Sequence, residues 1–204
     1  MNTVITISKR AVKIIENLID FAGPHAPQRI KTDINKELDN LLKLIKPELI
    51  KKGIKIRKFF GSLPHFSCNP DQIAQVFLHL IANARDAMEE TGGTLTIRTR
   101  KDRSNVEIVF SDMGIGIEEN MIDTIFNPFV TTNGPFGGGK QSGKGLGLSV
   151  AYGIIKSHNG DIKIESEAGS GTTGCVYLPV KEAMTKKPRK ASEKRVKQSK
   201  LTKL

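Results

Sequence analysis

The alternation of apolar and polar residues is most regular over residues 71–88, DQIAQVFLHLIANARDAM. Ile73, Val76, Phe77, Leu80, Ile81, Ala84 and Ala87 or Met88 recur at intervals of three and four, the spacing of one helix face. At about 100° per residue they form a broad stripe that must be buried. Gln72, Gln75, His79, Asn83 and Asp86 fall together on one flank of that stripe. Such a row of short polar groups beside a core can face a buried ligand. A half-buried helix whose polar flank meets water shows the same pattern.

The same spacing predicts a helix over residues 4–21, where Val4, Ile7, Ala11, Ile14, Leu18 and Phe21 trace a heptad seam. Ile5, Val12, Ile15 and Ile19 widen it, so this helix either dimerises, docks on another chain or packs on its own domain. Gly23, Pro24 and Pro27 then mark a linker over residues 23–32. A second amphipathic helix is expected over residues 33–50, with Ile34, Leu38, Leu41, Leu42, Ile45 and Leu49 on its face and Asp33 as cap. Pro47 is placed to kink it or end it early. Ile54, Ile56 and Phe59 suggest a strand, residues 64–69 a connection, and Pro70 with Asp71 the start of the central helix.

Beyond that helix, Leu95 and Ile97 mark one strand and Val106, Ile108 and Phe110 another, with a hairpin over residues 102–105. The second strand runs into SDMGIGI, residues 111–117, where glycines let the backbone approach a flat ligand and Asp112 supplies an acceptor. Phe126 and Phe129 flank Pro128, and Thr131 and Thr132 follow. Residues 133–145, NGPFGGGKQSGKG, form a long glycine-rich loop of the kind often used as a lid. Gly143 and Gly145 precede a helix opening at Leu146, Gly147 and Leu148, an arrangement whose free N–H groups suit phosphate. Asn159-Gly160 ends that helix, and Ile162, Ile164, Cys175 and Tyr177 outline a closing antiparallel hairpin. The class is therefore α+β, with helices on one face of a mixed, mostly antiparallel sheet.

Charge changes this picture only at one end. Of the net +11, the segment 181–204 supplies +8, with ten Lys and Arg against Glu182 and Glu193. It lacks aromatics and reads as a solvated, disordered tail, with nucleic acid or an acidic partner as the lesser reading. No apolar run approaches the roughly 20 residues that cross a bilayer, and the start shows no secretory signal. Cys68 and Cys175 lack metal-like spacing and read as free thiols of a cytoplasmic protein.

Taken in order, QVFLHLIANARDAM, SDMGIGI, IFNPFVTT, GKGLGLSVAYGIIKSHNGDIKIES and GSGTTGCVYLP resemble the N box, first glycine box, F box, second glycine box and last hairpin of the histidine-kinase-type ATP-binding domain. That two-layer Bergerat fold is shared with DNA gyrase, mismatch-repair ATPases and certain heat-shock chaperones. The Asp-Ala-Met after the N box is similar to nitrogen-sensor-like kinases. The resemblance covers most of residues 28–180 and implies ATP and Mg²⁺ as ligands. It makes Asn83 the Mg²⁺ ligand, an oxygen donor suited to a hard cation. Asp112 becomes the acceptor of the adenine amino group, with Gly114, Gly116 and Ile117 shaping the pocket, Thr172 helping to seat adenine, and Asp86 close by. Gly143, Lys144, Gly145, Leu146, Gly147 and Leu148 would meet the phosphates, Phe126 and Phe129 would hold the base of the lid, and Phe126, Thr131 and Thr132 count among the nucleotide-binding residues. Core packing is the plainer role for Phe126 and Phe129.

Two departures from the family pattern bear on function. His79 stands where the kinases commonly carry Asn and the ATP-hydrolysing relatives Glu. It is either a base for slow hydrolysis or a tolerated polar substitution near the metal. The resemblance also implies an upstream helix with a phosphoacceptor histidine followed by an acidic residue, and none of His25, His65, His79 and His158 fits that place. The helix over residues 1–22 resembles only the second helix of such a hairpin. The expectation is transfer of the ATP γ-phosphate to a histidine supplied in trans, with a response regulator as partner and a homodimer through the first helix. Asn133, Lys144 and Gly174 depart from common Lys, Thr and Phe and bear on lid closure. A non-catalytic ATP-binding module and a slow ATPase using His79 are the alternatives.

Overall fold

The computed structural model describes residues 28–130 and 145–180. Seven strands and four helices follow in the order β1 (Ile30–Thr32), α1 (Ile34–Lys51), β2 (Ile54–Phe60), β3 (Phe66–Cys68), α2 (Pro70–Ala87), β4 (Gly93–Asp102), β5 (Asn105–Ser111), α3 (Glu119–Ile122), α4 (Gly147–Ser157), β6 (Asp161–Glu167) and β7 (Gly171–Pro179). Five strands make one sheet in the order β2-β4-β5-β7-β6. Only β2 and β4 run parallel; the other three pairs are antiparallel. The expected α+β class is thus the observed one.

The helices lie on one face because each strand buries alternate residues. Leu95 and Ile97 of β4, Val106, Ile108 and Phe110 of β5, and Val176 and Leu178 of β7 are all buried. They meet Ile73, Val76, Phe77, Leu80, Ile81 and Ala84, the stripe read from the sequence of α2. Phe77 and Phe110 touch across this layer with ring centroids 5.5 Å apart. Burying a ring of that size is worth several kcal/mol, so Phe77→Ala would cost about 3–5 kcal/mol.

Caps fix the helix ends. The Asp33 carboxylate accepts from the Lys36 N–H, as expected for α1. Pro47 lies inside α1, which continues to Lys51. Asn69, rather than a residue further on, caps α2, accepting from the N–H groups of Asp71 and Gln72.

Two expectations are corrected. Residues 30–32, read as linker, form β1, and residues 66–68, read as connection, form β3. They pair antiparallel, with Ile30 opposite Cys68 and Thr32 opposite Phe66. Three-residue strands carry too little alternation to be read from sequence. The predicted helix over residues 4–21, residues 23–27 of the linker, the loop over 131–144 and the basic tail lie outside the described residues.

α2 and α4 lie side by side and antiparallel, since Gly147 meets His79 at one end and His158 meets Asn69 at the other. His158 is 4% exposed. Its Nδ1–H donates to the Ile154 carbonyl at 2.9 Å and its Nε2 accepts from the Asn69 N–H at 3.1 Å. That pair of bonds requires a neutral ring, and burial holds its pKa below the usual 6.5.

Replacing His158 with Ala should destabilise the protein by about 1–3 kcal/mol, because it leaves the Asn69 N–H and Ile154 carbonyl without this partner. A depressed histidine pKa contributes stability that is present above about pH 6.5 and lost as pH falls through the folded value. Urea titrations should therefore show the gap between wild type and His158→Ala narrowing from about pH 7.5 to about pH 5.5.

Candidate functional site

The site is built where β5 ends. Its last residue, Ser111, lies opposite Thr173 of β7, and their hydroxyls are 2.9 Å apart. One residue later the Asp112 N–H donates to the Thr172 carbonyl at 2.9 Å, so the pairing continues into the loop. The carboxylate turns back on itself. Its Oδ1 accepts from the N–H of Gly114 at 2.9 Å and from that of Thr172 at 3.2 Å. Burial raises its pKa, and these two amides act in the opposite direction. Both bonds fall on Oδ1, which leaves Oδ2 as the oxygen able to accept from a ligand.

The loop beyond is stapled on both sides. Ile115 N–H donates to the Ala87 carbonyl at the end of α2 (3.1 Å), and its own carbonyl accepts from Gly169 N–H in the β6–β7 turn (2.7 Å). Ile117 N–H donates to the Ser166 hydroxyl at 2.9 Å. That hydroxyl in turn donates to the Gly171 carbonyl and sits 2.9 Å from the Thr172 hydroxyl. Gly116 is required here twice over. Its φ is +70°, and a Cβ would stand 2.0 Å from the Glu167 carbonyl oxygen.

α2 supplies the second wall. Ala87, which holds the loop, lies one turn beyond Asn83 on α2. Asn83 is exposed, and its amide has no hydrogen-bond partner among the described residues. Asp86 Oδ1 is bound by the guanidinium of Arg85, which also reaches Glu48 of α1. His79 lies against the start of α4: its Nδ1 is 3.1 Å from where a Cβ on Gly147 would be. Its Nε2 is buried and without a partner, and burial lowers its pKa, so the ring is neutral.

The third wall is the start of α4. Leu146 precedes its first turn without a side-chain cap, and its carbonyl accepts from Val150 N–H and the Ser149 hydroxyl. The amides of Gly147 and Leu148 thus stand at an open helix N-terminus, the setting that favours an anion. Gly145 carbonyl accepts from Phe129 N–H at 2.8 Å, joining this helix to the segment that carries Phe126. Phe126 packs on Tyr152, ring centroids 5.2 Å apart, while Phe129 is exposed.

Hydrogen bonds thus bring Asp112, Gly114, Ile117 and Thr172 together around Gly116, while Gly147 at the start of α4 lies against His79, one turn before Asn83 on α2. Thr131, Thr132, Gly143 and Lys144 lie outside the described residues. Sequence reasoning missed Ser166, whose hydroxyl ties three parts of the pocket together, and Tyr152, which supports Phe126. Neither carries a pattern signal, since a serine in a strand and a tyrosine on a short helix are ordinary.

The residues fit a nucleotide. Oδ2 of Asp112 is an acceptor of the kind an adenine amino group needs, and the backbone around Gly116 has no room for any side chain. Among the described residues no cluster of three His, Cys, Asp or Glu could hold a metal alone. A neutral amide oxygen such as that of Asn83 suits a magnesium ion that shares its coordination with phosphates.

Comparison with known proteins agrees with this geometry. Residues 68–182 match the family described as histidine kinase-, DNA gyrase B- and HSP90-like ATPase. The chain is 34% identical over 180 residues to the sensory histidine kinase/phosphatase NtrB of Klebsiella oxytoca, an alignment covering 82% of this chain and 49% of NtrB. It thus spans about half the length of that relative. Two solved structures share the fold. Full-length ShkA in complex with AMPPNP has a TM-score of 0.72 at 22% identity, covering 83% of this chain and 36% of ShkA. The histidine kinase ThkA in complex with response regulator protein TrrA has a TM-score of 0.70 at 21% identity, covering 88% and 50%.

Gly116→Ala should fold less stably by more than about 1 kcal/mol, because alanine is strained at this φ and collides with Glu167. Urea unfolding measures the loss. A companion Gly169→Ala, where a Cβ meets nothing within 4 Å, should cost less. Equal losses would show that the close approach to Glu167 is not what fixes the glycine.

Proposed function

The chain belongs to the histidine kinase-, DNA gyrase B- and HSP90-like ATPases, and from that premise we propose that it is the MgATP-binding catalytic part of a two-component sensor histidine kinase. It transfers the γ-phosphate to a histidine on another polypeptide. The observation that carries this reading is the Asp112 carboxylate, anchored through one oxygen at the mouth formed by α2, the loop and β7. Asp112 Oδ2 would accept a hydrogen bond from the adenine amino group, Thr172 would help seat the ring, and the amides of the first turn of α4 would receive the phosphates. Asn83 would help hold a magnesium ion, which would supply charge neutralisation when bound. The protein's own contribution is positioning and exclusion of water, which is most of what phosphoryl transfer asks of an enzyme.

His79 supports the first turn of α4 rather than activating water. Its Nε2 is buried and its ring fills the space that Gly147 leaves, so neither feature favours a base in contact with solvent. The alternatives are a regulatory ATP-binding module without turnover and a slow ATPase. Among the histidines of the described residues, His158 is locked by two hydrogen bonds, and His65 lies 3.5 Å from the Asp33 carboxylate on the far side of α1's cap. A response regulator is the expected downstream partner, as TrrA is found with ThkA. No helix of the described residues is long and apolar enough to cross a membrane. The free thiols of Cys68 and Cys175 suit a cytoplasmic setting.

Asp112→Asn keeps an oxygen for the Gly114 and Thr172 amides but places an amide NH₂ where adenine must donate. ATP affinity should fall at least about tenfold, and the melting temperature should move little, since one hydrogen bond of this kind is worth about 1–3 kcal/mol. Nucleotide binding should also weaken at acidic pH, as the carboxyl, with its pKa raised by burial, takes up a proton. Radiolabelled ATP mixed with a phosphoacceptor hairpin domain tests the reaction. Label on its histidine supports the kinase. Binding without turnover supports the module, and free phosphate without labelled protein supports the ATPase.

A further inference from the structure

Asp112, Thr172 and Ser166 form a row across three strands. Ser166 of β6 stands opposite Thr172 of β7. The Asp112 N–H donates to the Thr172 carbonyl just past the last paired residue of β5. Side chains alternate along a strand, so the row faces the helix layer. Phe110 of β5 and Gly174, Val176 and Leu178 of β7, in step with it, are buried. A Cβ on Gly174 would stand 3.6 Å from the Leu80 side chain of α2. The row therefore lies on the side of the sheet that carries the candidate site, with Ser166 at the end away from Asp112.

A serine that bonds to nearby backbone is ordinarily structural. The directions of these bonds go beyond that. A hydroxyl has one proton and two lone pairs. The Ser166 proton goes to the Gly171 carbonyl at 2.8 Å, since a carbonyl can only accept. One lone pair accepts from the Ile117 N–H at 2.9 Å, since an amide can only donate. The contact that remains, 2.9 Å to the Thr172 hydroxyl, falls on the other lone pair. Thr172 is then the donor in that bond. Its one proton is committed there, and its oxygen meets a ligand with lone pairs alone. The Thr172 N–H meanwhile donates to Asp112 Oδ1, which leaves Oδ2 as the other free acceptor. Two acceptors thus stand on adjacent strands about 5 Å apart, and neither has a proton to give while the carboxyl is ionised.

We propose, resting on the adenine site put forward above, that Ser166 is a positioning residue that sets base specificity without touching the base. By accepting the Thr172 hydroxyl proton it keeps that oxygen an acceptor, so the pocket selects a base edge that donates. The 6-amino group of adenine carries two N–H donors, one for each acceptor. A 6-oxo purine brings a carbonyl oxygen instead, which pairs with neither and leaves both unpaired. A site built around buried hydrogen bonds rejects a ligand that lacks them far more strongly than an apolar site rejects a change of size. Discrimination between 6-amino and 6-oxo purines is therefore shared by Asp112 and by Thr172, the latter through Ser166.

The test compares ATP with inosine triphosphate, both with magnesium, by titration calorimetry on the full chain, the weaker ligand measured in competition with the stronger. Wild type should prefer ATP by about a hundredfold or more. In Ser166→Ala the Thr172 hydroxyl is free to turn and donate to the 6-oxo group. Inosine triphosphate should then bind about fivefold more tightly than it binds wild type, while ATP binds no better. A pocket merely loosened by the substitution would lose affinity for both, and that result overturns the proposal. Thr172→Val reads the polarity of the hydroxyl even if Ser166→Ala fails to fold, because Ser166 keeps its bonds to Gly171 and Ile117. Removing an acceptor should lower the preference for ATP without weakening inosine triphosphate; weaker inosine triphosphate would show that Thr172 donates, and overturns the proposal. In the Thr172→Val background, Ser166→Ala should change the preference by less than about twofold, and a larger change means that Ser166 does not act through Thr172. Wild type that binds neither nucleotide overturns the adenine site as well. ATP binding with a preference unchanged in both single variants overturns the role of Ser166 alone.

Discussion

A half-buried carboxylate at the end of a central strand is the constraint around which this domain is built. Asp112 is removed from water by the β5–β7 pairing and by the loop that folds back onto α2, and an ion in that position must be bonded. Two backbone amides satisfy one of its oxygens. Each of those amides is placed by something larger. That of Gly114 depends on the loop stapled to Ala87, and that of Thr172 on the register of β7 against β5. Moving either wall by one residue would leave the charge unpaired, at a cost of several kcal/mol.

The same geometry explains why helix and sheet cooperate in the site. α2 buries its apolar stripe on the sheet, and its end at Ala87 meets the loop after β5 through the Ile115 N–H. Asn83 and the helix end at Ala87 therefore share a wall because of hydrophobic packing, not because of any bond between them. α4 is held against α2 at its far end by His158, whose two hydrogen bonds reach α4's own backbone and the N-cap of α2. At its near end the ring of His79 lies against Gly147. Just before that end, the Gly145 carbonyl accepts from Phe129 N–H and ties the start of α4 to the segment carrying Phe126.

Much of this was legible in the residues. The stripe of α2, the cap at Asp33, the turn between β4 and β5 and the antiparallel closing hairpin all stand where periodicity and turn residues put them. The family resemblance marked Asp112, Gly116 and Thr172, and the structure brings these together. What stayed hidden depends on contacts between distant segments. The ribbon of β1 and β3 is too short to alternate, so residues 30–32 read as linker. The hydroxyl of Ser166 and the ring of Tyr152 acquire roles only once β6 and α4 are folded against their neighbours. The pairing of Asp86 with Arg85 is local but competes with a ligand role that spacing alone suggested.

The central claim is that nucleotide enters between the Asn83 amide and the Asp112 carboxylate with a divalent ion. Isothermal titration of the full chain with ATP, in matched buffers containing magnesium or a chelator, tests this most directly. The account predicts saturable one-to-one binding in magnesium that is markedly weaker with the chelator. An isotherm indistinguishable from buffer in both conditions, or identical binding in both, would contradict it.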